Sequence, residues 1–225
     1  MQTRLYVQTF GSLAVMGVLL FGAAGTVMWP AAWCFLIELG ALGLWLGLWL
    51  ARVDPALLAE RLGSLVQKQQ KPWDRVFMLC AAMIWCAWLV LIALDARRFH
   101  WSTMPRSLAA LGSLGILVSI VVTRFVFRAN SYASPVVKLQ SERGHKVADT
   151  GPYAYVRHPM YAGAIPFLAG TPLLLGSWWG FACMPFVVAA LAVRAVLEER
   201  MLIEQLDGYA AYAARVRYRL IPGIW

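Results

Sequence analysis

The stretch Leu5–Ile37, LYVQTFGSLAVMGVLLFGAAGTVMWPAAWCFLI, contains no Asp, Glu, Lys or Arg. A transmembrane helix needs roughly 20 predominantly apolar residues, with about 17 as the lower limit. The stretch is therefore long enough for one complete span and the beginning of a second, with a tight turn at Trp29–Pro30. Val76–Leu94 and Ser107–Thr123 are equally free of charge.

The composition agrees with these apolar runs. Of the 225 residues, 61% are hydrophobic and 14% are charged, whereas about a quarter of the residues of a soluble domain are charged. The sequence therefore predicts an all-α, polytopic integral membrane protein. The net charge of +9 would also suit a nucleic-acid-binding protein. However, the basic residues lie between the predicted spans, where they set the orientation, so no nucleic-acid partner is expected.

The pattern predicts about six hydrophobic helical segments and one amphipathic helix on the membrane surface at Asp54–Val66. The last two segments are short and interrupted by proline, so a broken hairpin hinged at Gly176–Gly180 (GSWWG) is expected. The first apolar run is longer than the core of a signal peptide, which favours a retained span over a cleaved one. The six segments are Leu5–Met28, Ala31–Ala51, Val76–Leu94, Ser107–Phe127, Met160–Leu175 and Phe181–Leu197.

The distribution of basic residues predicts the topology. If the N-terminus, residues 52–75, residues 128–157 and the C-terminal tail share one side, these segments hold 15 of the 20 Lys and Arg residues. Arg124 and Arg194, near the ends of the adjoining spans, bring the number on that side to 17. Only Arg97, Arg98 and Arg106 lie on the other side. The positive-inside rule assigns the first side to the cytoplasm. We expect residues 1–127 to be N-terminal transmembrane helices and residues 128–225 to hold the functional core.

Small and acidic residues inside the spans have different interpretations. The pairs Gly43/Gly47 and Gly112/Gly115 have the spacing that lets membrane helices approach closely, so a packing role is expected. Glu38 is an intramembrane carboxylate and hence a functional hypothesis by default. Because it lies near the start of its span, a position at the membrane interface is the alternative. The four cysteines lie in apolar segments without metal-ligand spacing, so we expect neither disulfides nor a metal site.

A polar cluster interrupts the apolar sequence at Gly151–Gly163, GPYAYVRHPMYAG. Pro159 precedes an apolar run and suits the first position of a helix, which would hold His158 and Tyr161 at its beginning. Farther along, Arg194 and Glu198 are four residues apart and share one helical face.

These features allow two interpretations. Broken membrane helices are tolerated where they line a cavity, and a cavity with a carboxylate, a guanidinium and several rings would suit a small cationic ligand beside a lipid-soluble one. The alternative is an interfacial belt in which Arg194 snorkels to the surface and Glu198 is solvated. A belt needs no His158–Pro159 between its rings, and Arg194 lies within an apolar run, so the cavity is favoured.

The motif GPYAYVRHPMYAG, followed by Glu198–Leu202 (EERML) and Tyr209–Trp225 (YAAYAARVRYRLIPGIW), resembles the isoprenylcysteine carboxyl methyltransferase family and its phospholipid methyltransferase relatives. These are polytopic membrane enzymes that use S-adenosylmethionine. The resemblance covers roughly Gln140–Trp225. The sequence departs from it at Ala148–Asp149, where relatives usually have Val-Thr, and the added carboxylate lies beside the expected pocket.

The resemblance implies methyl transfer from S-adenosylmethionine to a lipophilic acceptor, foremost carboxyl O-methylation of a prenylcysteine-like carboxylate. The acceptor would be reached from the bilayer, and membrane lipids are the other expected partners. Arg194 and Arg157 would act on the acceptor as catalytic residues. The residues implied for cofactor binding are Gln140, His145, Lys146, Val147, Ala148, Tyr153, His158, Pro159, Met160, Tyr161 and Glu198.

Three alternatives remain open at this point. The methyl acceptor is a carboxylate, a phospholipid amine or a small thiol. An amine acceptor would make the protein an N-methyltransferase, and a thiol acceptor would make it an S-methyltransferase. A sterol-type membrane reductase would use NADPH and bind its 2′-phosphate through Arg215, Arg217 and Arg219. A non-catalytic lipid-binding or transport protein would give no reason for Arg194 and Glu198 to share a face.

Overall fold

The computed structural model describes residues 1–225, which form α-helices joined by loops, with no β-strand. Two short 3₁₀ turns, Ser141–Arg143 and Gly151–Ala154, lie in the longest loop. A π-helical turn at Leu94–Phe99 extends the fourth helix. The helices are α1 Gln2–Ala24, α2 Pro30–Val53, α3 Pro55–Arg61, α4 Pro72–Ala93, α5 Leu108–Ala129, α6 Pro159–Leu175, α7 Trp178–Gln205 and α8 Tyr209–Arg215.

Five of these helices, α1, α2, α4, α5 and α7, are long and apolar enough to cross a membrane, and α6 is a shorter apolar helix. The predicted all-α, polytopic membrane fold is confirmed. One element differs in length, because the predicted short segment Phe181–Leu197 is part of a single 28-residue helix. The charges that begin at Glu198 do not end α7, since Glu199 is buried against cationic side chains.

The predicted hinge between the last two apolar segments is a tight turn at Gly176–Ser177. Gly176 ends α6 with a φ of 85°, in the left-handed region that glycine adopts without a steric cost. The hydroxyl of Ser177 then accepts a hydrogen bond from the backbone N–H of Gly180 (2.9 Å) and caps the start of α7. The two helices therefore form an antiparallel pair.

Small residues bring α5 and α6 into backbone contact. A Cβ atom at Gly112 would lie 2.6 Å from the carbonyl oxygen of Gly170, and one at Gly115 would lie 2.7 Å from that of Pro166. The packing role predicted for Gly112 and Gly115 is confirmed. Gly47 likewise faces Leu5 of α1, but Gly43 has open space beside it, so the prediction is wrong for Gly43.

The alternating helix directions bring the polar segments to one end of the bundle, which we call the basic end. It comprises the N-terminus, residues 54–71, residues 130–158 and residues 206–225. Two hydrogen bonds of Lys71 join these segments: its backbone N–H donates to Val137 (3.1 Å) and its Nζ donates to Gln205 (3.0 Å). The segments that were predicted to share one side therefore lie together, and the orientation of that side stays a prediction.

The amphipathic helix α3 is shorter than predicted and has different surroundings. Asp54 caps it by accepting a hydrogen bond from the N–H of Leu57 (2.9 Å). Leu57 and Leu58 are buried in a hydrophobic cluster that includes Leu206 and Tyr209. The apolar face of α3 is therefore covered by protein, in a cluster shared with the C-terminal segment, and its position at the membrane surface stays a prediction.

Candidate active site

A cleft of about 830 Å³, including its open mouth, lies at the basic end. The loop 130–158, the start of α6, the end of α7 and α8 surround it. All but one of the predicted site residues line the cleft: His145, Lys146, Val147, Ala148, Tyr153, Arg157, His158, Pro159, Met160, Tyr161, Arg194 and Glu198.

Gln140 is the predicted site residue that does not line the cleft. Its side chain is fully buried behind the loop, where Nε2 donates to the carbonyl oxygen of Tyr132 (2.9 Å) and Oε1 accepts from Arg143. Gln140 is therefore placed behind the cleft wall, and its role in cofactor binding stays a prediction. It shapes the loop that carries His145, whose ring stacks on Tyr132 with 4.5 Å between the centroids.

The start of α6 is held by the C-terminal segment. The backbone N–H groups of Arg157 and His158 donate to the carbonyl oxygens of Tyr218 and Arg219, both at 2.9 Å. Pro159 then occupies the first helical position, as predicted, since its fixed φ suits a helix start and its missing N–H has no intrahelical partner to lose. This arrangement presents the stacked rings of His158 and Tyr161 to the cleft.

Glu198 projects from α7 into the cleft. Its Oε2 accepts a hydrogen bond of 2.6 Å from the hydroxyl of Tyr161, and its Oε1 has no partner in the protein. One carboxylate oxygen is thus fixed while the other is available to a ligand. The helical spacing places Glu198 one turn after Arg194, as predicted.

The neighbouring Glu199 has different surroundings. Its buried carboxylate contacts Arg157 (3.2 Å), His158 (3.5 Å) and Arg219 (3.0 Å). Arg157 also donates through Nη1 to the carbonyl oxygen of Ala213 (3.2 Å). Arg157 therefore lines the cleft, but its charge is already paired, and this cluster joins α7 to the C-terminal segment.

Arg194 is 8% exposed, and its guanidinium is fixed on two sides. Nε donates to Oδ1 of Asp74 (2.9 Å), and Nη2 donates to the carbonyl oxygen of Pro135 (2.8 Å). The group also lies over the rings of Phe77 and Tyr161. Arg194 does not snorkel to the interface, and its Nη1 is the nitrogen that makes no hydrogen bond within the protein.

Asp74 in the first turn of α4 is a site residue that sequence reasoning missed. Its carboxylate is fully buried and accepts from Arg194, from the side-chain amide of Gln70 (2.9 Å) and from the N–H of Val137 (2.8 Å). An acidic residue in the first turn of a helix is common because it complements the helix dipole. The sequence therefore carried no signal that Asp74 positions a residue of α7.

Helix α3 supports the same loop from the N-terminal half of the chain. Glu60 forms an ion pair of 2.7 Å with Lys138. Arg61 donates to the carbonyl oxygen of Ala133 (2.9 Å) and lies over the ring of Phe127 at 4.5 Å. The sequence analysis did not predict these three contacts, because the two residues in each are more than sixty positions apart along the chain.

Three titratable groups around the cleft, outside the membrane spans, have shifted pKa values. Burial and the neighbouring Arg143 lower the pKa of His145 to about 4, so its imidazole is uncharged at neutral pH. Burial raises the pKa of the Tyr153 and Tyr209 hydroxyls. The Tyr209 hydroxyl is buried without a hydrogen-bond partner, which leaves it available to a bound molecule.

Glu38 lies outside this site. It is half-buried on α2, and the hydroxyl of Ser113 on α5 donates to its Oε2 (2.7 Å). Both residues are near the ends of their helices that lie away from the basic end. The contact joins two membrane helices.

The fold and the cleft define a polytopic helical membrane protein with a polar, loop-covered pocket at one end of the bundle. Residues 107–207 match the family described as phospholipid methyltransferase. The protein-S-isoprenylcysteine O-methyltransferase of Saccharomyces cerevisiae is 28% identical over 125 residues, which cover 54% of this chain and 52% of that relative. These matches confirm the resemblance to the isoprenylcysteine carboxyl methyltransferase and phospholipid methyltransferase family. The match spans about half the length of the curated relative.

Proposed function

We propose that this protein transfers a methyl group from S-adenosylmethionine to a lipophilic acceptor, in the first place the carboxylate of a prenylcysteine-like molecule. One observation carries the proposal. Arg194 is buried in the cleft with Nη1 unpaired, and Glu198 faces the same cleft one turn later with one carboxylate oxygen unpaired. A cationic and an anionic group are thus held side by side.

The residues of the cleft fit S-adenosylmethionine. The free oxygen of Glu198 can accept from an ammonium or hydroxyl group of the cofactor, and the orphaned hydroxyl of Tyr209 can donate to it. The cofactor supplies a methyl group bonded to a sulfonium, so a carbon–oxygen bond to the acceptor forms as the carbon–sulfur bond breaks and the electron pair stays on sulfur. Met201, Leu202 and Leu206 give part of the cleft an apolar wall.

A carboxylate acceptor suits the charges of the site. Such an acceptor needs no general base, and the protein's contribution is positioning and electrostatics. Nη1 of Arg194 can donate a charge-assisted hydrogen bond to the acceptor carboxylate. An amine acceptor would in addition have to lose a proton, which the carboxylate of Glu198 or the imidazole of His158 would have to accept.

The arginines required by the reductase alternative are not free. Arg215 is paired with Asp149, and Arg219 is paired with Glu199. Arg217 alone is unpaired, whereas a 2′-phosphate is usually recognised by several charge-assisted contacts. This pairing favours the methyltransferase over an NADPH-dependent enzyme.

The proposal includes an orientation. The cleft and the C-terminal segment face the cytoplasm, because a water-soluble cofactor must enter from there and the basic asymmetry assigns this end to that side. The lipophilic acceptor enters from the bilayer.

The test uses the purified full chain with labelled S-adenosylmethionine and a prenylcysteine analogue. We expect label on the analogue with a free carboxylate and none on its carboxamide counterpart. Saturable binding of S-adenosylhomocysteine without binding of NADPH should accompany the transfer. Binding of NADPH alone would contradict the proposal, and transfer of label to the carboxamide would contradict the carboxylate as the acceptor.

A further inference from the structure

A second feature of the basic end lies outside the cleft, in the groove between α2 and α5. The guanidinium of Arg124 on α5 lies over the indole rings of Trp49 and Trp45 on α2, at 4.9 Å and 5.6 Å from their centroids. None of these residues lines the cleft. Arg124 is five residues from the end of α5, or about 8 Å along the helix axis at 1.5 Å per residue.

Arg124 has no anionic partner. It takes part in none of the ion pairs of the protein, and its Nε is buried without a hydrogen-bond partner. A charged side chain inside a membrane span is costly unless a partner or the interface compensates for it. Cation–π contacts stabilise the guanidinium but leave its N–H donors unsatisfied. An acceptor from outside the protein would satisfy these donors.

Two further arginines extend the site toward the interface. Arg52 follows Trp45 and Trp49 at helical spacing on the same face of α2, and Arg128 follows Arg124 by one turn on α5. Both are exposed, and neither forms an ion pair. Tryptophans commonly lie at the level of the lipid headgroups. The groove thus combines three cations without ion-pair partners and two indoles toward the basic end of the bundle.

We propose that this groove, defined by Trp45, Trp49, Arg52, Arg124 and Arg128, binds the phosphate of an anionic phospholipid. Arginine's planar fork matches phosphate oxygens, and the exposed part of Trp45 (46% exposed) covers the adjoining apolar part of the lipid. The acidic residue on this face of α2, Glu38, lies seven residues before Trp45, or about 10 Å along the helix axis, where it accepts a hydrogen bond from Ser113. It is too far away to offset the three charges, so an anionic lipid is preferred to a zwitterionic one. The site does not depend on the proposed methyl transfer.

The test is native mass spectrometry of the purified full chain with equal amounts of phosphatidylglycerol and phosphatidylcholine. We expect the wild-type protein to retain phosphatidylglycerol preferentially. Arg124→Gln should lower that preference about fivefold, which corresponds to about 1 kcal/mol per basic residue near a membrane surface. Arg4→Gln is the matched control, because Arg4 is exposed at the same end, lies over no ring and is also unpaired.

Arg124→Lys separates a defined site from diffuse attraction. Lysine keeps the charge but lacks the planar fork. A defined site therefore predicts a partial loss of the preference for phosphatidylglycerol, whereas diffuse electrostatic attraction predicts no loss. If Arg124→Gln does not fold, Arg52→Gln at an exposed position should give the same direction of change. Equal losses in Arg4→Gln and Arg124→Gln, or an unchanged preference in both Arg124 variants, would overturn the proposal. Displacement of the lipid by free inorganic phosphate would assign the groove to the ion instead.

Discussion

Glu198 and Glu199 are adjacent residues with separate partners, and substitutions at the two positions should have separable effects. Glu198→Gln keeps an oxygen that can accept from Tyr161 but removes the negative charge that faces the cleft. We expect weaker S-adenosylhomocysteine binding with little change in stability. Isothermal titration and thermal unfolding of the purified variant measure the two quantities.

Glu199→Gln is the matched control for this prediction. The substitution leaves Arg157 and Arg219 without a counter-charge in a largely buried cluster. Losing a hydrogen bond to a charged group costs about 1.5–3 kcal/mol, so this variant should unfold at a lower temperature. If Glu198→Gln binds S-adenosylhomocysteine as well as the wild type does, Glu198 is not a cofactor ligand.

Arg194→Lys tests the acceptor side of the cleft. Lysine cannot donate to Asp74 and Pro135 and also present a third nitrogen to a carboxylate. Losing one charge-assisted hydrogen bond costs about 1.5–3 kcal/mol, so kcat/KM on a prenylcysteine analogue should fall about 10- to 150-fold. Cofactor affinity should stay close to that of the wild type, as a parallel titration would show.

Full activity of the Arg194→Lys variant would remove Arg194 from the acceptor site. A loss confined to cofactor binding would place Arg194 on the cofactor side of the cleft.

His145 should make stability depend on pH. Its pKa of about 4 in the folded protein is below the ordinary value of 6.5, so the unfolded chain binds more protons between these values. The free energy of unfolding should therefore fall as the pH drops from about 6.5 to about 4. His145→Phe keeps a ring against Tyr132 without titrating and should show a shallower decline. Parallel curves of thermal midpoint against pH for the two proteins would contradict this assignment.

At the scale of elements, the contact between α5 and α6 is the closest helix packing in the bundle. A methyl group at Gly112 would overlap with the backbone of Gly170 and Leu174. Overpacking typically costs about 1–3 kcal/mol, so Gly112→Ala should lower the thermal midpoint. Gly43→Ala is the control, because nothing lies within 4 Å of its added methyl group. Equal midpoints for the two variants would show that α5 and α6 separate without cost.

The elements also show which features the sequence could predict. The spans follow from charge-free runs, and the start of α6 follows from Pro159, because both signals are local. The surroundings of α3 and the partner of Arg194 depend on contacts between distant parts of the chain: Asp74 is 120 residues from Arg194. No local pattern distinguishes an acidic residue that begins a helix from one that also pairs with a buried arginine. Residues 1–127 were expected to supply transmembrane helices and one surface helix, and Glu60, Arg61 and Asp74 of this half also hold the loop and the arginine of the cleft.

At the scale of the whole molecule, the remaining prediction is its orientation in the membrane. The helix directions place Ser141 and Ala211 at the basic end and Thr103 at the opposite end, and all three are exposed. Because 17 of the 20 basic residues lie toward the basic end, the positive-inside rule places that end in the cytoplasm.

In a variant without the four native cysteines, a cysteine at Thr103 should react with an impermeant thiol reagent in intact cells. Cysteines at Ser141 and Ala211 should react only after the membrane is permeabilised. Labelling of Ser141→Cys and Ala211→Cys from outside, with protection of Thr103→Cys, would reverse the orientation. The cleft would then open away from the cytoplasmic supply of S-adenosylmethionine, and the proposed reaction would lose its methyl donor.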